Sequence, residues 1–162
     1  MSNIVLQSDY GLGNGTSNLY GVCKRVDPDL KIYDLSHAVP GFDTRRASEN
    51  LAAVVPAWPA GTVFVSAVDP ATGTEHLVCA AKTASGSYIL TADNGTLSAA
   101  ADTVGITAVR DITALLRAYP EYADGALLHG KDLAWCAALL ASGQRSFEEL
   151  GSAYAVEAIV HL

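Results

Sequence analysis

Short β-branched apolar runs alternate along this chain with apolar positions spaced for helices. Ile4-Val5-Leu6, Lys31-Ile32-Tyr33 and Val63 to Val68 read as strands, and the third is apolar almost without interruption, as a strand covered on both faces of a parallel sheet requires. Between the first two, Leu19, Val22 and Val26 predict a short helix, with Ser17 as its cap, that stops before Asp27-Pro28. A second helix is predicted from Asp43, its cap, with Ala47, Leu51 and Val54 or Val55 facing inward and Arg45-Arg46 solvated, until Pro56 and Pro59 end it. Leu77 to Leu90 reads as two strands around a Ser85-Gly86-Ser87 turn. A helix over about 97–102, a strand near 106–109, a loop-rich stretch from Asp111 to Asp124 and a last apolar helix, Leu133 to Leu140, capped by Asp132, complete the pattern. The alternation predicts an α/β fold: a mostly parallel central sheet with helices on both faces and a ligand edge at the strand C-termini.

Polar clusters fall where these strands end. Val63 to Val68 runs into Asp69-Pro70-Ala-Thr-Gly73, the first strand into Gln7-Ser8-Asp9-Tyr10-Gly11, the second into Asp34-Leu35-Ser36-His37, and Tyr88-Ile89-Leu90 into Asp93-Asn94-Gly95. One such acid is most simply a turn residue bonding its own backbone. Four at successive strand ends point instead to one edge of a sheet converging on a ligand, because open α/β sheets bind ligands outside the carboxyl ends of their strands. Gly11, Gly13 and Gly15 do not form GxGxxG and no P-loop lysine follows, so a nucleotide-phosphate site is not indicated there.

Composition narrows the ligand. With 162 residues, half of them hydrophobic, the chain has the size and core of one domain, residues 1–162. A net charge of −7 without a basic block argues against nucleic acid and against anionic membrane surfaces, and favours a small or cationic ligand. Cys23, Cys79 and Cys136 form no CxxC pair and read as buried thiols of a reducing compartment. No secretory signal opens the sequence, and Leu133 to Ala141 is too short to span a bilayer, so a cytoplasmic location is expected.

The ordered motifs SDYG, DLSH, P-x-GTVFVSAVDP, DNG and HGKD resemble the N-terminal domain of the S-adenosylmethionine hydrolases, or hydroxide adenosyltransferases, whose halogenating relatives are the fluorinases and chlorinases. The resemblance covers essentially the whole chain. It implies displacement of methionine from the ribose 5′ carbon of S-adenosylmethionine by water or hydroxide, giving adenosine, with no cofactor or metal. Asp69, His76 and His129 match the Asp, Arg and His that hold the attacking water in that family. Asp9 matches the acid that receives the ribose hydroxyls and Phe42 an aromatic packed on the substrate; Asn14, Thr72 and Asn94 are the further substrate-binding candidates. Family membership also implies a homo-oligomer, a trimer, and a C-terminal domain that this chain lacks.

Two departures bear on the chemistry. The usual PGVGT turn is Pro70-Ala-Thr-Gly-Thr74 here, so Thr72 brings a hydroxyl resembling the halogenating branch, and the usual Arg is His76. Asp69 opposes a halogenase: the halogenating relatives have an uncharged tyrosine there and a serine in place of His129. A carboxylate about 4 Å from a halide costs on the order of 4 kcal/mol at an effective dielectric near 20. Imidazole, unlike guanidinium, is partly charged near neutrality, so hydrolysis is expected to depend on pH between about 6 and 7.5. The bland alternatives are a surface residue starting the next strand for His76, a backbone-bonded helix-start residue for His129, and a loop-ordering residue for His37. A metal hydrolase using Asp9, Asp69 and His129 is disfavoured, since no ligand pair has suitable spacing. Two functional readings stand: a hydrolase completed by a C-terminal domain, or a catalytically silent domain for oligomerisation or weak nucleoside binding.

Overall fold

The computed structural model describes residues 1–70, 76–121 and 129–162, with only the backbone of His129. Thr72 lies outside these residues. Within them, one sheet runs in the order β2 (Ile32–Ser36), β1 (Ile4–Ser8), β3 (Val63–Ala67), β5 (Tyr88–Ala92), β4 (Val78–Thr83), β6 (Ile106–Asp111), β7 (Ser152–Tyr154). The pairs β2–β1, β1–β3 and β3–β5 are parallel, whereas β5–β4, β4–β6 and β6–β7 are antiparallel. The parallel half is therefore the one that carries the polar strand ends, and the hairpin β4–β5 adds a mixed half beside it.

All five residues of β3 are buried, as its uninterrupted apolar sequence requires. Val63 and Val65 face a cluster containing Leu19 and Cys23 of α1 (Gly15–Val26) and Leu133 and Ala137 of α5 (His129–Ala141). Phe64 faces the other way, into a cluster with Leu51 of α2 (Thr44–Val54) and Ala100 of α3 (Ser98–Thr103). Each fully buried side chain of this kind contributes about 1.5–3 kcal/mol, so the two faces anchor β3 at the centre of the sheet. α1 and α2 cover opposite faces, and the strand order reverses between β1, whose chain continues to β2 on one side, and β3, whose chain continues to β4 on the other, the point at which open α/β sheets form a crevice.

The helix limits follow local chemistry. α1 gives way to extended backbone at Asp27, the conformation a residue before proline favours. Asp43 caps α2 by accepting the Arg46 N–H at 2.9 Å, and α2 tightens into a 3-10 turn at Val55–Ala57 as Pro56 removes a donor. Ser17 lies inside α1 rather than at its cap, which is Asn14. The last helix starts four residues earlier than its apolar run, so Asp132 sits in its first turn instead of capping it. Thr113–Arg117 forms α4 within the stretch expected to be loop, and β7 had no apolar run to announce it.

Candidate functional site

A cavity of about 490 Å³ opens at the β1/β3 crevice. Asp9, Tyr10 and Phe42 form one wall, Ser66 to Pro70 the β3 side, Gly15 and Asn18 of α1 a second, and Gly130 and Lys131 of α5 a third. The crevice takes its floor from the buried strand and its polar groups from the loops that leave it.

Asp69 is only 6% exposed although it is an acid. Both carboxylate oxygens are engaged: Oδ1 accepts from Asn94 Nδ2 at 3.2 Å, and Oδ2 pairs with His76 Nε2 at 2.5 Å. Asn94 is itself fixed, its Nδ2 also donating to the Val68 carbonyl and its Oδ1 accepting from the Thr96 N–H and hydroxyl. A buried carboxylate is retained at tolerable cost only when such partners replace water. Asn94 thus supports Asp69 from behind, and among the lining residues it is absent. His76, two residues before β4, brings an imidazole to the acid.

Asp9 stands half-buried at the end of β1, and its Oδ2 accepts the Phe42 N–H at 2.9 Å. Phe42 has φ 62°, a left-handed conformation that a bulky residue adopts only when its surroundings enforce it. Here that conformation aims the N–H at Asp9 and leaves the ring 62% exposed at the cavity mouth. Tyr10 crosses from the start of α1 to the start of α5: its ring lies where a Cβ on Gly15 would stand at 3.1 Å, and its hydroxyl lies against Gly130. Burial, then the charges of Asp9 and Asp132, push the Tyr10 phenol up to about 12, so it remains a hydrogen-bond donor.

Asp132 is completely buried beneath this wall. Its Oδ1 accepts the Leu133 N–H at 2.8 Å, while Oδ2 has no partner among the described residues. Burial raises its carboxyl from 3.8 to about 7, against the lowering effect of the backbone N–H groups of Leu133 and Asp132.

The structure therefore brings Asp9, Phe42 and Asp69 to one crevice, while Asn94 and His76 each hold Asp69 and neither is among the lining residues. Asn14 is not among the lining residues; one turn further along α1, Asn18 takes that place. His129 opens α5, next to the lining residue Gly130. Lys131, Tyr10, Asn18 and Ser66 also line the cavity without being marked by the strand-end pattern as site residues, although Lys131 and Tyr10 lie in the HGKD and SDYG motifs. The other two strand-end acids do structural work: Asp93 accepts from the Tyr154 hydroxyl and the Val160 N–H, and Asp34 accepts from Tyr20 and His37. Among the described residues no group of three His, Cys, Asp or Glu is placed to hold a metal. Cys23, Cys79 and Cys136 are buried free thiols, raised by burial.

The chain is 36% identical over 146 residues to an (R)-S-adenosyl-L-methionine hydrolase of Salinispora arenicola, covering 86% of this chain and 53% of that protein. A protein of the same name from Methanocaldococcus jannaschii is 27% identical over 135 residues, covering 80% and 49%. An uncharacterized conserved protein from Thermotoga maritima superposes with a TM-score of 0.90 at 30% identity, over 98% of this chain and 60% of that one. The chain thus spans about half the length of the curated relatives it matches. Residues 4–151 match the model of the SAM hydroxide adenosyltransferase N-terminal domain, and the chain belongs to that family.

Proposed function

We propose that this domain supplies the ribose- and water-binding side of an enzyme that hydrolyses S-adenosyl-L-methionine to adenosine and L-methionine. The observation that carries the reading is the buried Asp69 carboxylate, held on one oxygen by Asn94 and on the other by His76, in the wall of the cavity that Asp9 also lines. Asp69 and His76 orient a water; its oxygen attacks C5′ of the ribose as the C5′–S bond breaks, and the bonding pair leaves with sulfur. Methionine departs as a neutral thioether and needs no general acid. The water proton passes through the Asp69–His76 pair to solvent, so atoms and charge balance. In-line positioning of a partly desolvated nucleophile supplies most of the catalytic effect. His129, at the start of α5, is the third member of the water site in this reading, and Asp9 receives the ribose 2′ and 3′ hydroxyls while Phe42 packs on the nucleoside. Asn14 and Thr72 remain the further substrate contacts expected from the resemblance.

The same reading includes a homo-oligomer, a trimer, in the cytoplasm, and a reaction without cofactor or metal. Light scattering reads the oligomer, and activity that survives a chelator disposes of a metal. The deciding experiment measures adenosine and methionine released from S-adenosylmethionine by this chain and by any longer chain its reading frame encodes. Equimolar products are expected, with a loss of at least about 100-fold in Asp69→Ala and His76→Ala, the usual scale for a group acting on the transferred proton. No adenosine from either chain would sink the enzyme and leave a nucleoside-binding or oligomerisation domain.

A further inference from the structure

Asp34, His37 and Ser8 stand in line beside the cavity. Asp34 Oδ1 is 2.7 Å from His37 Nε2, and His37 Nδ1 is 2.6 Å from Ser8 Oγ. The order of groups is that of a nucleophilic hydrolase, but Ser8 is completely buried and does not line the cavity, so its hydroxyl cannot meet a substrate. What it meets is the neighbouring backbone: Ser8 Oγ accepts the Tyr10 N–H at 3.3 Å.

Donor and acceptor roles then follow from one fixed point. Ionised Asp34 can only accept, and it accepts from the Tyr20 hydroxyl at 2.6 Å and from His37 Nε2–H. With Nε2–H committed to Asp34, His37 Nδ1 is left to meet the Ser8 hydroxyl, and whichever of the two donates, Ser8 Oγ keeps a lone pair for the Tyr10 N–H. The line ends on the backbone that carries Asp9 and Tyr10. The loop after β2 grips the same segment twice more: the His37 carbonyl accepts the Gly11 N–H at 2.8 Å, and the Phe42 N–H reaches Asp9.

We propose that His37 is a positioning residue for the site: through Ser8 and the Tyr10 N–H it fixes where the Asp9 carboxylate meets a ligand's vicinal hydroxyls. This rests on the reading that Asp9 receives the ribose diol, and it assigns His37 a task beyond ordering its own loop. Three separated holds on residues 8–11 are what a carboxylate needs to keep one orientation while partly exposed to water, since a single bond to Phe42 leaves it free to rotate.

Titrations of adenosine and of 2′,3′-dideoxyadenosine, followed by amide chemical shifts, test the idea on wild type, Asp9→Asn, Ser8→Ala, His37→Ala and His37→Asn. Adenosine affinity is expected to fall about 5- to 10-fold in Asp9→Asn, Ser8→Ala and His37→Ala, the usual scale for one lost hydrogen bond. The dideoxy ligand, which has no diol, should bind all of them alike. Ser8→Ala combined with His37→Ala should be no worse than either alone, because both interrupt one line. His37→Asn, whose amide can still meet Ser8, should stay within about twofold of wild type and serves if His37→Ala does not fold. An equal loss for both ligands makes His37 merely structural and overturns the proposal. Loss in Asp9→Asn with none in His37→Ala overturns it alone. Unchanged adenosine affinity in Asp9→Asn, or no binding by the wild type, removes the diol reading together with it.

Discussion

Replacing Asp132 by Asn should flatten a fall in stability that the buried carboxyl is expected to cause on going from acid to neutral pH. The carboxyl is completely buried, one oxygen has no partner among the described residues, and burial has raised it from 3.8 to about 7. Below about pH 4 the group is neutral in the folded and the unfolded chain alike, and the contribution to stability is complete. As pH rises from about 4 to about 7 the unfolded chain releases this proton while the folded chain keeps it, so stability falls throughout that window and the loss is complete above it. A rise of about three pH units at 1.36 kcal/mol each sets the loss on the order of 4 kcal/mol, and water drawn to the ionised group will reduce the observed value to about 2–4 kcal/mol. Asn keeps the acceptor for the Leu133 N–H and carries no charge, so the variant should match wild type near pH 4 and exceed it by that amount near pH 8. Urea denaturation of both proteins at steps across this range measures the difference. If the two stabilities run parallel with pH to within about 0.5 kcal/mol, burial of Asp132 is not what sets its proton affinity and the reasoning fails.

Three further outcomes are expected. Adenosine release should stay within about tenfold of wild type in His76→Arg, whose guanidinium can still donate to Asp69, while falling at least about 100-fold in His76→Ala; equal losses in the two variants take a donor at position 76 out of the mechanism. Gly130→Ala places a Cβ on the Tyr10 hydroxyl and should cost about 1–3 kcal/mol in thermal or urea unfolding, with part of the loss recovered by adding Tyr10→Phe; additive effects would mean that Tyr10 does not fill that space. Gly151→Ala directs its Cβ at the Asp111 carbonyl, backbone that cannot swing aside, so a loss of about 3 kcal/mol with no rescuing side-chain change is expected, and a neutral result contradicts the packing of β6 against β7.

The strands of the parallel half were legible because β-branched runs such as Val63 to Val68 are buried on both faces and therefore carry no polar interruption. β7 and α4 were not, since both are short and take their place from tertiary contacts rather than from periodicity. Among the strand-end acids, position alone marked Asp9, Asp34, Asp69 and Asp93 equally. Only the fold separates the two that line the cavity from Asp34, tied to Tyr20 and His37, and Asp93, tied to Tyr154 and Val160. Asn94 is a substrate-binding candidate in the sequence, yet its side chain is spent on holding Asp69 and the Val68 carbonyl, in a turn where Gly95 has φ 99°. Asp132 carried a helix-cap signal in sequence; the helix starts ahead of it because Gly130 lets the backbone pass against Tyr10, a close approach that no linear pattern encodes.

The strand order also bears on how the molecule assembles. β4 and β5 adjoin in sequence and can close as a hairpin early, whereas β1 meets β3 only after the whole of α1, β2 and α2 has been folded back. Chain entropy opposes that second pairing more, and non-local parallel pairings form slowly. The crevice between Asp9 and Asp69 lies along this late seam, so a ligand touching both would act as a clip across it. Its binding should slow unfolding as well as raise equilibrium stability, making the kinetics of unfolding a reporter of site occupancy even where no turnover is seen.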